Sequence, residues 1–219
     1  MNGNDIIKIT PTILDDSLES RILGYHYLPY STGFEIECNM KPGYRTDVFT
    51  SIPNIMEADV NEYEQRFRIP EGLEGLKCLF EISANLKEQA LFNPDSGIHY
   101  HIDCTDVYKY FNKEFVAKHK EWILNELDSW NYQGTYNKRN IEFSFSHNWV
   151  RFQETFKTME FRLGEMTFDY ELLFKRITHA NAIVRRLKEE LIETVEDDDQ
   201  FGDYAFNEKD VLNTRIIKI

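Results

Sequence analysis

The sequence predicts an α+β fold, an antiparallel sheet with helices packed on one face. Three observations lead there. Segments such as GFEIECNM, QRFRI, SGIHYHID and KTMEFRLG alternate apolar and polar residues with the two-residue period of a half-buried strand. Other segments repeat their apolar residues at three and four positions, the spacing of a helix with one buried face. The two kinds come in mixed order, without the strict strand–helix alternation that builds a parallel sheet.

Taken in order, residues 1 to 30 mix a short β-like run, Ile6 to Thr10, with a polar stretch and two prolines, Pro11 and Pro29. From Thr32, GFEIECNM puts Phe34 and Ile36 on one face and Glu35 and Glu37 on the other. Between 41 and 70 only QRFRI, closed by Pro70, has a readable pattern. After Pro70 the residues Leu76, Leu79, Phe80, Ser83, Leu86 and Ala90 follow helical spacing, and Asn93-Pro94 is the expected stop. The next strand places Ile98, Tyr100 and Ile102 on an apolar face and His99, His101 and Asp103 on the other. A second helix is expected from about Thr105 to about Leu127, with Tyr108, Phe111, Phe115 and Trp122 in one stripe. NYQGTYNKRN reads as a loop, IEFSFS and KTMEFRLG as strands, and Val150 with Phe152 as a connection. A third helix is expected from Tyr170 to Ile192, where Leu173, Ile177, Ala180, Val184, Leu187 and Leu191 repeat. The closing VLNTRIIKI has the composition of a short strand.

No internal repeat and no linker divides the 219 residues, which read as a single domain able to bury a sizeable core. Its motif-bearing part spans 32–188, and an acidic segment follows at 189–210. Glu189 to Asp199 contains seven carboxylates and no basic residue, the composition of a solvated segment that chemistry does not need. Aromatic residues make up 14% of the chain, which argues for a packed core rather than disorder. A net charge of −13 argues against nucleic-acid or anionic-membrane partners, because a polyanion would need local arginines, lysines or bridging cations. The three cysteines, Cys38, Cys78 and Cys104, form no CxxC pair and suit reduced thiols. With no apolar run approaching a membrane span and no signal-peptide pattern at the N-terminus, a soluble cytoplasmic protein is expected.

Three strands share one oddity, a chemically loaded face opposite an apolar one. They offer Glu35 and Glu37, then His99, His101 and Asp103, then Glu160 and Arg162. Singly, each has an ordinary explanation: a wet sheet face, a hydrogen-bonded histidine pair, a surface ion pair. In combination, carboxylates with a few imidazoles suit divalent cations such as Mg²⁺ or Mn²⁺ that hold substrate phosphates. A neighbouring arginine supplies two-point donors for phosphate oxygens. Gly33 and Gly97, each preceding a loaded stretch, let a ligand approach the backbone closely.

GFEIE, SGIHYH and TMEFR, in that order, resemble the motifs of the amidoligases, relatives of glutamine synthetase and the glutamate–cysteine ligases. The resemblance covers residues 32 to 188 and extends to FRLGEMTFDYELLFKRI, which is similar to the family's turn and long helix. It implies a reduced version of the glutamine synthetase catalytic domain, whose antiparallel sheet faces the active site. The implied activity is ATP-dependent joining of a carboxylate to an amine through an acyl phosphate, with small-molecule or peptide substrates and with ATP and Mg²⁺ or Mn²⁺ as cofactors. By resemblance, Glu35, His99 and Glu160 hold one metal ion and Glu37 the other. Arg162 meets the transferring phosphoryl group, and His101 lies near the nucleotide phosphates or the substrate.

The chain departs from the family in two places. For a further metal-binding glutamate between the first two motifs, Glu57, Glu62 and Glu64 all compete, with Glu64 preferred. For the basic residue before the third motif, Arg151 is preferred to Lys157 and Arg139. The chain is also short, so substrate-covering elements are expected to be reduced or supplied by another subunit of a homo-oligomer. Asp103 is read as a cap for the following helix, with orientation of a histidine as its other role. Cys104 points away from His99 and His101 and so does not complete a zinc site with them. His26, His119, His147 and His179 are given no functional role. Two other readings stand beside the ligase: a non-catalytic binding or structural protein that keeps the fold, and a cupin-like metal barrel, which the long helices disfavour.

Overall fold

The computed structural model describes residues 17–93, 95–131, 137–143 and 147–197. Within them the chain is α+β. Strands β1 (Thr32–Ile36), β2 (Glu57–Val60), β3 (Gln65–Ile69), β4 (Gly97–Asp103), β5 (Lys138–Glu142), β6 (Asn148–Gln153) and β7 (Thr158–Glu165) form one sheet in the order β2-β3-β1-β4-β7-β6-β5. Every neighbouring pair is antiparallel except β5 with β6. The helices are α1 (Leu18–Tyr27), α2 (Asp47–Thr50), α3 (Gly72–Gln89), α4 (Lys113–Asp128) and α5 (Tyr170–Asp197). Among the described residues the sheet keeps two edges, β2 and β5, and does not close into the barrel that a cupin requires. No helix among the described residues is long and apolar enough to cross a membrane.

The strands fold as their alternation dictates. Phe34 and Ile36 of β1, Ile98, Tyr100 and Ile102 of β4, and Met159, Phe161 and Leu163 of β7 point into one core, each at most 1% exposed. The α3, α4 and α5 helices contact β3, β5 and β4, respectively. The expected stripe of α5, from Leu173 to Leu191, is buried along its whole length. α1 lies across α3 at very short range: a Cβ on Gly24 would come within 2.3 Å of the Leu73 nitrogen, so only glycine allows this approach.

Several boundaries differ from expectation, each for a local reason. α3 ends at Gln89, not at Asn93-Pro94, because extended Ala90 pairs with Met40 as an isolated bridge. The second helix starts at Lys113, not near Thr105. Asp103 Oδ1 accepts from both the backbone nitrogen and the hydroxyl of Thr105, which holds a turn there, and the helix waits for Asn112, whose Oδ1 accepts from Phe115 N. Asp103 therefore caps a turn and not the helix. Val150 and Phe152 belong to a strand, β6, rather than to a connection, and β5 begins inside the expected loop at Lys138. The expected strands at 6–10 and 211–219 lie outside the described residues, as does the acidic segment beyond Asp197; α5 runs into that segment as far as Asp197.

One buried polar residue ties α5 to the start of the site-bearing strand. Asn181, fully buried, donates through Nδ2 to Thr32 Oγ1 at 3.0 Å and to Ile177 O at 3.0 Å, and its Oδ1 accepts from Tyr30 N at 3.3 Å. Replacement by alanine strands these partners away from water. Asn181→Ala should cost about 2 kcal/mol of stability, read as a lower urea midpoint with an unchanged slope. A loss within error would show that water reaches Tyr30 and Thr32.

Candidate active site on the open face of the sheet

The face opposite the helices carries the charge, and its residues meet because of register. Glu35 of β1 stands directly across from His99 of β4 and from Arg66 of β3. His101 stands across from Gly33 on one side and Glu160 of β7 on the other, and Glu160 stands across from Arg151 of β6. Between Ile98 and Tyr100 the β4–β7 register shifts, so that β7 carries an extra residue opposite His99; this stretch contains Arg162.

The donors form a tight group. His99 Nδ1 lies 3.4 Å from Glu35 Oε2 and 3.9 Å from Glu160 Oε1, while its Nε2 lies 3.9 Å from Glu37 Oε1. His101 Nε2 is 3.9 Å from Glu160 Oε1 and 4.0 Å from Glu35 Oε1. Glu160 is 0% exposed and is held by two guanidinium groups, Arg162 Nη1 at 2.5 Å and Arg151 Nε on its other oxygen. This is not a surface ion pair, since both arginine side chains are also largely buried. Of the basic candidates before β7, Arg151 is the one that reaches the group. Arg139 binds Asp128 and Asn125, and Lys157 sits in the turn before β7, over the Tyr108 ring.

Of the other expected residues, Glu37 reaches the group only through His99 Nε2, and the rest fall outside it. Glu64 pairs with Arg66 Nη2 at 2.6 Å, and Arg66 Nε is 3.5 Å from Glu35 Oε1, so Glu64 is one ion pair removed from the donors. Glu57 sits on the edge strand opposite Arg68, and Glu62 lies beyond its end. Glu37 follows β1 and is half exposed on the far side of the His99 ring. Cys104 is buried on the core side, and burial pushes its thiol up to about 12, so it serves neither as ligand nor as nucleophile. His179 accepts from Trp130 Nε1 and faces Glu126, a bridge between α4 and α5.

Two members of the site, Thr158 and Arg66, were not singled out in the sequence. Thr158 Oγ1 lies 3.2 Å from His101 Nδ1, which fixes the ring with Nε2 directed between Glu35 and Glu160. Thr158 shares the alternation of Glu160 and Arg162, and this alternation is the pattern that could have identified it. Arg66 was visible in QRFRI, but its role depends on pairing with β1, which local sequence does not reveal.

Protonation favours cation binding. The hydrogen bond from His99 holds the Glu35 carboxyl at about 2, helped by the charges of His101, His99 and Arg66 and opposed by burial. Desolvation lowers the pKa of His101, so its imidazole is neutral at physiological pH. His101 Nε2 is buried without a hydrogen-bond partner, an atom that a cation between Glu35 and Glu160 would satisfy. Among the described residues no three such donors already stand at metal-binding spacing. Neighbouring ligands on an octahedral ion at ~2.1 Å stand ~3 Å apart, so the separations of 3.4–4.0 Å must close and Glu160 must loosen one guanidinium. Two carboxylates with two imidazoles fit a divalent ion, and the imidazoles favour Mn²⁺ over Mg²⁺.

The depressed Glu35 also predicts a pH profile. A carboxyl whose folded value lies below its ordinary one contributes stability that is fully present above the ordinary value and lost as pH falls. The window therefore runs from about 4.5 down to about 2. In acid titrations of urea stability, Glu35→Gln should be flatter than the parent across that window. Parallel curves would mean that His99 does not hold the carboxylate.

Compared with known proteins, the chain matches no protein-family model and no curated sequence.

Proposed function

We propose that this protein is an ATP- and divalent-cation-dependent carboxylate–amine ligase, built on a reduced sheet like that of the glutamine synthetase catalytic domain. The observation that carries the reading is the meeting of Glu35, His99, His101 and Glu160 from three adjacent strands, with Arg162 and Arg151 against Glu160. The resemblance of the three motifs to the amidoligases points the same way.

In this reading the substrate carboxylate attacks the γ-phosphate of ATP, forming a carbon–oxygen–phosphorus linkage and releasing ADP. The amine then attacks the acyl carbon, the bond to the phosphate oxygen breaks, and phosphate leaves as the amide forms. Glu35, His99 and Glu160 would hold a divalent cation, with His101 positioned beside them; the ion would neutralise phosphate charge. Arg162 has its Nε buried without an acceptor, a spare donor for a phosphoryl oxygen next to the one it gives Glu160. Thr158 keeps His101 in orientation, and the near-complete burial of His99, His101 and Glu160 lowers the local dielectric, which strengthens these charges. The work assigned to the protein is positioning and charge stabilisation rather than covalent chemistry.

The test is calorimetric titration of ADP and ATP with Mg²⁺, with Mn²⁺ and with chelator, followed by ATP consumption against mixtures of carboxylates and amines with products read by mass. Nucleotide binding that requires the ion is expected. Binding that is absent, or indifferent to the ion, rejects the ligase in favour of a non-catalytic protein on the same fold.

A further inference from the structure

β7 is irregular just where Arg162 leaves it. Ile98 of β4 pairs with Gly164 and Tyr100 with Phe161, so Arg162 and Leu163 together face His99. Such a bulge bends its strand and re-aims a side chain. The ladder to β6 stops at the same place. It runs from Gln153 with Thr158 to Val150 with Phe161, and Arg162 is the first residue beyond it. The carbonyl of Arg162, buried with its side chain, therefore needs a donor from elsewhere.

Asn137, the residue before β5, supplies it. Its Nδ2 donates to Arg162 O at 2.5 Å, and the residue is buried. The backbone beside it is anchored, since Lys138 N donates to His147 O at 2.7 Å and Lys138 pairs with Asn148. Asn137 Oδ1, in contrast, is buried without a hydrogen-bond partner. Leucine would fill a similar volume without stranding that oxygen, so what the amide contributes is its donor. The other end of the bulge is pinned as well. Arg176 of α5, also buried, donates through Nη1 to Glu165 O at 2.8 Å. A Cβ on Gly164 would come within 3.1 Å of Ile98 O, so glycine gives β7 its close approach to β4 here. Two side chains from outside the ladder thus hold the stretch from which Arg162 enters the site.

We propose that Asn137 is a positioning residue, whose amide fixes the bulge at Arg162 and thereby the direction of the guanidinium's free Nε–H. For its consequence in catalysis this rests on the ligase reading. Among the described residues Asn137 makes no hydrogen bond to Glu35, His99, His101 or Glu160; it acts through Arg162. With Nη1 gripped by Glu160, the place of Nε depends on where the backbone starts the side chain. Freeing the carbonyl lets that starting point drift while the grip on Glu160 persists. A donor that must meet developing charge at a fixed angle is sensitive to such drift, and a misplacement of ~1 Å can cost about 10²-fold in rate.

The experiment follows the arginine Nε–H signals of the full chain by NMR with isotopically labelled arginine. Those of Arg162 and Arg151 are identified by their loss in Arg162→Lys and Arg151→Gln. In Asn137→Leu the Arg162 Nε–H should exchange with solvent about tenfold faster, the equivalent of one lost hydrogen bond, while the Arg151 signal keeps its rate. Asn137→Ala makes the same test where leucine does not fold. Asn181→Ala, which loosens α5 and leaves Arg162 O capped, should not move the Arg162 signal. An unchanged Arg162 rate in the Asn137 variants, or equal acceleration in Asn181→Ala, overturns the proposal. With a substrate pair in hand, Asn137→Leu should lower turnover about tenfold with nucleotide affinity within about threefold; parent-like turnover also overturns it. Titration of the parent with ADP, with Mn²⁺ and with chelator, judges the ligase separately. Faster Arg162 exchange without ion-dependent ADP binding keeps the positioning of Arg162 and removes the ligase, whereas ion-dependent binding with an unchanged rate does the reverse.

Discussion

Glu160→Gln should be among the most damaging substitutions in the described part of the chain, costing about 3–5 kcal/mol of stability. Glutamine keeps the shape of the side chain but not its charge, and Glu160 has no exposed surface through which water could compensate. It accepts from Arg151 Nε and Arg162 Nη1, and the side chains of both arginines are mostly buried. Without the carboxylate, two guanidinium groups face each other across an amide that can satisfy only one of them. Desolvation of an unpaired charge then dominates over the hydrogen bonds that remain. The measurement is urea unfolding of the parent, Glu160→Gln, Arg151→Gln and the double variant. Arg151→Gln should recover part of the loss in the Glu160→Gln background, giving a coupling energy above about 1 kcal/mol. Additive single effects would mean that the arginines are solvated after all. If the ligase reading holds, Glu160→Gln also weakens the dependence of nucleotide binding on the ion, since a neutral amide is a poorer ligand than a carboxylate.

The same residue illustrates what a sequence of this kind discloses. Glu160 alternates with Met159 and Phe161, so its face was readable from period two alone, as were those of Glu35, His99 and His101. What alternation cannot say is which strand lies beside which. The order β3-β1-β4-β7-β6 brings Arg66, Glu35, His99, Glu160 and Arg151 together, and that order is set by hydrophobic packing over long sequence separations. Gly33 was readable as a point where a ligand can approach the backbone, but its place between Arg68 and His101 was not, because that depends on which strands lie across the sheet. Elements with weak patterns were also missed. β2, EADV, alternates exposed and half-buried positions on an edge and so carries little apolar signal. α1, LESRILGYHY, contains Gly24 and two tyrosines, and its start depends on the Ser17 cap accepting from Ser20 N. In contrast, α5 was readable because its stripe of six buried apolar residues exceeds any local ambiguity.

If the ligase reading holds, Arg162→Lys should lower turnover by about 10²-fold while leaving nucleotide affinity within about threefold. The two substitutable features of arginine are separable here. Its charge, directed at Glu160 with Nη1 at 2.5 Å, is retained by lysine, so the buried carboxylate stays paired and the stability cost should be about 1–2 kcal/mol. Its planar fork is not retained. Arg162 Nε, buried without an acceptor, lies in the same rigid plane as the nitrogen that grips Glu160, so one side chain can hold the carboxylate and present a second donor to a phosphoryl oxygen at a fixed angle. A lysine ammonium occupied by Glu160 has no such second arm. On the ligase reading the ground-state loss is small, because a bound nucleotide would keep its other contacts, whereas charge building on a transferring phosphoryl group would feel the missing donor fully. Turnover and nucleotide affinity should therefore be measured together, on a variant whose unfolding curve shows that it is folded. Parent-like turnover would reduce Arg162 to a counter-ion for Glu160. A parallel fall in affinity and turnover would assign it to uniform binding of the nucleotide, not to the transition state.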